Sequence, residues 1–175
     1  MSLQAFFLAL LTLVGCSSTK DYEKHVEQLD RDRFMGKWFV QAGRFTMFEK
    51  DAFNAVEIYT WNEKEQQIDV DFRFNEGSLT GPEKKIPQIA FIEKHKSNAR
   101  WQVRPFWPLL FDYRVIALDA DYEWTVIGVP SQKYVWIMSR SAQMTREKVA
   151  EIVEQIKSLG YRADELEYVQ HSPTP

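Results

Sequence analysis

The chain has 175 residues and a formal net charge of -3, with acidic and basic side chains interspersed. That length fits one domain with a full core, and the lack of a basic stripe argues against nucleic acid as the partner. A single cysteine, Cys16, excludes an internal disulfide, and His25, His95 and His171, far apart in sequence, each read as a surface or loop histidine, since a metal site needs several converging ligands.

The first element is "AFFLALLTLV", Ala5 to Val14, apolar except for Thr12. Ten such residues match the h-region of a signal peptide, whereas a bilayer-spanning helix needs roughly 20. The opening "MSLQ" has no Lys or Arg, which points to a native start upstream of Met1 or to added leading residues. "LVGC" (Leu13, Val14, Gly15, Cys16) resembles the lipobox of bacterial lipoproteins. The resemblance implies a signal peptide over residues 1–15, cleavage before Cys16 and acylation of its thiol and new amine. Ser17, in place of the Asp that retains such proteins at the inner membrane, implies the outer membrane. One acyl chain holds reversibly and several hold stably. Residues 16–32, "CSSTKDYEKHVEQLDRD", are polar and charged and read as a tether with a helical turn near its end. Fully extended, that tether reaches on the order of 50 Å.

From residue 33 to 171 the pattern is that of one globular domain, followed by a short disordered tail, 172–175. "QIDVDFRF" (Gln67 to Phe74) alternates strictly, with Ile68, Val70, Phe72 and Phe74 on one face. That is a strand with one wet face. "RWQVR" (Arg100 to Arg104) places Trp101 and Val103 inward, and "DYRVIAL" (Asp112 to Leu118) follows the same logic less cleanly. By the same parity Arg73, Arg104 and Arg114 point outward. "EWTVIGV" and "YVWIMSR" are β-rich and apolar on both faces, so something covers their outer side. "TREKVAEIVEQIKSLG" supplies the cover: Val149, Ile152, Val153, Ile156 and Leu159 fall at helical spacing, between an N-capping Thr145 and a terminating Gly160. "ELEYVQ" reads as a short last strand. About eight strands joined by hairpins such as "NEKEQ", followed by one helix, give an all-β fold. It is an eight-stranded antiparallel up-and-down barrel with a C-terminal α-helix packed outside. Periodicity describes a cup with an apolar lining and leaves open whether the cup is hollow or packed shut.

Three ordered blocks carry a family resemblance. "FMGKWFVQAGRF" (Phe34 to Phe45), with Gly36 and Trp38, resembles the first lipocalin signature. "VIALDADYEWTVIGVP", with Asp121 and Tyr122 in its turn, resembles the second. "KYVWIMSR", ending in Arg140, resembles the third. The resemblance implies that Arg140 lies across the Trp38 indole as a plug at the closed end. With the lipobox, the blocks resemble most the bacterial outer-membrane lipocalins, to which apolipoprotein D is the related animal branch. These imply a fatty acid or lysophospholipid as ligand, a role in maintaining the outer membrane and no cofactor. Two departures stand out. Gly43 reads as a bulge near the mouth, and "EGSLTGPEKKIPQ" (Glu76 to Gln88) reads as a long loop.

The inward positions form the expected ligand-binding set: Val40, Ala42, Val70, Phe72, Phe74, Trp101, Val103, Tyr113, Val115, Tyr134 and Trp136. "PFWPLLF" is an aromatic, proline-broken loop that presents Phe106, Trp107, Leu109, Leu110 and Phe111 at one end, to a membrane, to a second copy in a homodimer, or as a collapsed lid. Asp119, Asp121 and Glu123 cluster where a turn is expected, and Asp favours turns. With no nucleophile and base in sequence and no phosphate-cradling glycine loop, the chain reads as a binding protein and not an enzyme. The first reading is therefore a membrane-anchored lipid carrier or store. The alternative is an interaction protein with a closed barrel, acting through the aromatic loop or a dimer.

Overall fold

The computed structural model describes residues 21–93 and 97–173. Cys16, the apolar run before it and His95 lie outside the described residues. The elements are α1 (Arg31–Phe34), β1 (Gly36–Arg44), β2 (Ala52–Asn62), β3 (Gln67–Glu76), β4 (Glu83–Ile92), β5 (Arg100–Arg104), β6 (Phe111–Leu118), β7 (Trp124–Gly128), β8 (Val135–Ser139), α2 (Arg146–Ser158) and β9 (Glu167–Tyr168). Strands β1 to β8 pair in sequence order, all antiparallel, and β1 also pairs with β8, which closes the barrel.

The wall is interrupted where β1 leaves β2. Only Gly36 to Phe39 pair with β2, while Ala42 and Gly43 pair with β9 instead. The segment from β9 onward fills that seam: Val169 donates its N–H to Gln41, Asn54 donates to Gln170, and His171 meets the Val40 carbonyl at 2.7 Å. Ser172 also donates to the Asn54 side chain, so the ordered chain extends past residue 171.

Two cores lie on either side of the wall. The inner one holds Phe34, Trp38, Val40, Tyr59, Ile68, Val70, Phe72, Phe74, Trp101, Val103, Tyr113, Val115, Ile127 and Met138. The outer one joins Ile116, Ala117, Trp124, Val126, Val135 and Ile137 to Val149, Ile152 and Ile156 of α2 and to Tyr161. Strands β6 to β8 are apolar on both faces because α2 covers them. Thr145 caps α2 by accepting the Lys148 N–H, and Gly160 ends it at φ +88°.

Three local features depart from simple alternation. In β1, Val40 faces Met138 and Ala42 faces Ile137, so Gln41 is an extra residue and the bulge falls there rather than at Gly43. Ala42 is thereby turned out of the barrel into the core beneath α2. A Cβ at Gly43 would instead sit 2.4 Å from the Val135 carbonyl, so close strand packing is what requires that glycine. The stretch read as a loop over Glu76 to Gln88 is short, because β4 begins at Glu83. Pro87 disguised it. Pro87 pairs with Asp71 on one side, while β5 joins β4 only from Ile89 onward, so the missing N–H faces no partner strand. Finally, the second half of the segment read as a tether packs on the barrel. Tyr22 and Leu29 are buried; Tyr22 donates its N–H to Pro130 at 2.8 Å and Val26 donates to Val115 at 2.9 Å. Buried Arg114 donates to the Tyr22 carbonyl and pairs with Glu23 at 3.1 Å, so its outward direction leads it under this segment.

Candidate functional site

One end of the barrel is sealed. Residues Asp30 to Phe34 cross it, and α1 is capped by Asp30, which accepts the N–H groups of Asp32 and Arg33. Trp38 is fully buried and donates its indole N–H to the Phe34 carbonyl at 2.8 Å. The Arg140 guanidinium lies 3.7 Å from the centre of the Trp38 ring and donates to the carbonyls of Lys37, Arg33, Phe34 and Met35. Gly36, at φ +97°, lets the backbone turn beside this guanidinium. In the β6–β7 turn, Asp119 accepts the N–H groups of Asp121 and Glu123. Tyr122, at φ +64°, accepts the Asp30 N–H and lies beneath Arg33 at 4.2 Å. The acidic cluster is thus a turn and a brace for α1.

Above the plug the aromatic stack continues. Phe34, Trp38, Tyr59 and Trp101 meet edge-on or tilted, and Trp101 stacks on Tyr113 with centroids 5.4 Å apart. The other half of the barrel is hollow. A cavity of about 300 Å³ opens at the far end, lined by Tyr59, Val70, Phe72, Ile86, Val103, Tyr113, Tyr134 and Trp136, with Glu57, Gln88 and Val129 among them. Its rim comes from two loops. Thr46, Met47, Phe48 and Glu49 belong to the turn after β1, and Pro105, Phe106, Phe111 and Asp112 to the β5–β6 hairpin. Phe48 and Phe106 touch edge-on across the mouth, 6.1 Å apart.

The expected ligand set therefore divides. Val70, Phe72, Val103, Tyr113, Tyr134 and Trp136 line the cavity. Val40, Phe74, Trp101 and Val115 belong to the inner core and do not reach it. Ala42 is outside the wall, for the bulge reason given above. Alternation assigned the face correctly along β3, β5 and β6 but says nothing about depth.

Most of what the sequence reading missed is polar. Glu57 projects inward from β2, between Ala55 and Tyr59, while Val56 and Ile58 face out. The Tyr59 hydroxyl donates to the Glu57 carboxyl and also meets the Tyr113 hydroxyl. Burial pushes the Glu57 carboxyl up to about 8, with the charge of Glu49 adding to the effect. Glu49 closes a capping box with Thr46 and accepts the Trp136 indole N–H at 2.6 Å; burial raises it as well, against those hydrogen bonds. The cavity is lined by three carboxyl side chains, Glu49, Glu57 and Asp112, and by no Lys, Arg or His. The one available signal was parity: Ala55, Glu57, Tyr59 and Trp61 share a face, and three of these suit an interior.

Among the described residues no group of His, Cys, Asp and Glu converges as a metal site, and no helix is long and apolar enough to cross a membrane. An open depression outside the barrel, between Glu23 to Glu27 and Leu159 of the segment after α2, is shallow and charged at its edge.

The lipocalin-like domain family matches residues 29–171, most of the chain. The chain belongs to the lipocalin family. This lipocalin is 33% identical to temperature-induced lipocalin-1 of Arabidopsis thaliana over 159 residues, 86% of this chain and 83% of the relative. It is 23% identical to the outer membrane lipoprotein Blc of Vibrio cholerae over 182 residues, 96% of this chain and 99% of the relative. Among solved structures, lobster apocrustacyanin A1 shares the fold with a TM-score of 0.64 at 12% identity, covering 82% of this lipocalin and 81% of that chain.

Proposed function

We propose that this lipocalin is a lipid-anchored protein of the bacterial outer membrane that holds a single-chain lipid, a fatty acid or a lysophospholipid, for storage or transport in membrane maintenance. The observation that carries the reading is the cavity. It is apolar, aromatic, closed below by the Arg140–Trp38 plug and open above. A volume of about 300 Å³ is at the small end for ligand pockets and suits one slim chain. Cys16 is the acylation site, after removal of residues 1–15, and the Blc lipoproteins of Vibrio cholerae and others are the relatives that support this. The lining sets the ligand's direction. The depth of the cup is aromatic and apolar and offers no Lys, Arg or His to pair an anionic headgroup, so the tail goes down and the headgroup stays at the mouth, in reach of water. The role is binding, without turnover.

Native mass spectrometry of the protein purified without detergent, with mass analysis of its extracted lipid, tests the reading. A stoichiometric adduct at a fatty acid or lysophospholipid mass is the expected result. An apo mass that persists after incubation with both lipids would sink the carrier reading.

A further inference from the structure

We infer that the open end of the barrel is a bilayer-docking face, with Met47 and Trp107 seated among phospholipid acyl chains and the cavity mouth opening directly onto the membrane. The orientation rests on the proposed acylation of Cys16; the apolar face stands without it.

Seven of the eight large hydrophobic side chains exposed among the described residues lie at this end, the exception being Tyr168. They are Met47 and Phe48 from one loop and Phe106, Trp107, Leu109, Leu110 and Phe111 from the other, and Trp107 is 82% exposed. The stretch from Pro105 to Phe111 contains no charged residue. The opposite end is built from Glu63, Lys64, Glu65, Asp119, Asp121 and Glu123. The lip formed by these two loops is therefore fit for hydrocarbon, with exposed charges such as Lys50, Asp51, Glu76, Glu83 and Lys133 set around it, while the opposite end is fit for water.

The anchor's reach chooses the occupant. Tyr22 is fixed at the mouth end through its N–H bond to Pro130, in the β7–β8 connection. Its ring packs on Tyr161, 4.8 Å away, and Lys24 donates to the Leu159 carbonyl at 2.8 Å. Cys16 lies six positions before Tyr22 in this clamp, and whatever its conformation that stretch spans at most about 20 Å. Ten-residue strands such as β3, tilted as in a closed barrel, give a height of roughly 25 Å. Acyl chains on Cys16 thus bring the mouth, and not the sealed end, to the membrane. A bilayer meets both features at once. A second copy would bury the apolar lip and leave the anchor's position unexplained. A docked mouth lets a lipid tail pass between bilayer and cup without crossing water.

The test uses residues 21–175, which contain every element and both cores, with vesicles of phosphatidylethanolamine and phosphatidylglycerol, with or without bromine on the acyl chains. We expect the protein to sediment with vesicles and its tryptophan fluorescence to be quenched by brominated lipid. Trp107→Ser should remove most of the quenching and lower the bound fraction at least fivefold. Met47→Ser should lower the bound fraction alone, with unchanged circular dichroism in both variants. No sedimentation and no quenching of the parent protein overturns the inference. So does a vesicle-independent dimer that Trp107→Ser dissolves, which would make the lip a subunit interface. Acylation is read separately, from the mass of the Cys16 peptide of the full chain made in bacteria, so its failure is distinguishable from failure of the lip.

Discussion

At the scale of single residues, the cavity's character turns on Glu57. Its carboxyl, pushed up to about 8 from the usual 4.5, holds a proton in the folded protein that the unfolded chain has already released across that window. The contribution of Glu57 to stability is therefore greatest at low pH and falls as pH rises from about 4.5 to about 8, by at most about 1.4 kcal/mol per unit. Glu57→Gln keeps the shape and a neutral group, so it should flatten this slope in chemical denaturation run at several pH values, leaving a smaller fall of the same sign from Glu49. At the sealed end, Arg140→Ala would remove the ring contact and strand the carbonyls of Arg33, Phe34, Met35 and Lys37. We expect a loss of about 2–4 kcal/mol, seen as a lowered Tm without loss of the barrel's circular dichroism. These residues differ in how well the sequence announced them. Val70 and Phe72 followed from alternation in "QIDVDFRF". Glu57 did not, because a carboxyl flanked by Val56 and Ile58 reads as the wet face, and only the phenols of Tyr59 and Tyr113 make its inward position tolerable.

At the scale of elements, apolarity on both faces of β7 and β8 foretold a cover, and the spacing of Val149, Ile152 and Ile156 identified it. Since Ile152 is 1% exposed, Ile152→Ala should cost about 2–5 kcal/mol in equilibrium unfolding. The cavity lies across the wall from α2, so the folded variant should keep its lipid stoichiometry. Elements whose form depends on distant chain were not legible. The extra residue at Gln41 shows only in the pairing of β1 with β8. Pro87 fits a strand only because β5 stops short of it. The stretch Tyr22 to Leu29 looked like tether because its polar residues outnumber the two that bury, and its anchors, Pro130, Val115 and Asn98, lie far along the chain.

At the scale of the whole molecule, the two ends of one barrel have opposite chemistry. Charged turns over a buried guanidinium–indole plug face water at one end; an apolar lip surrounds a largely aromatic cup at the other. The ordered signatures around Trp38, Tyr122 and Arg140 made the architecture readable, because they brace the sealed end that any such barrel needs. The depth of the cup was not readable, since it depends on how far the aromatic stack of Phe34, Trp101 and Tyr113 fills it. The closing seam has a consequence of another kind. Phe39 pairs with Ser139, a hundred positions later, so no ring can form until β8 has been synthesised. Long-range pairing of this sort slows folding to milliseconds or longer. A chain exported while still being made would therefore pass through a translocation pore as an open thread, and the first strand would wait for the last before either could hold a lipid.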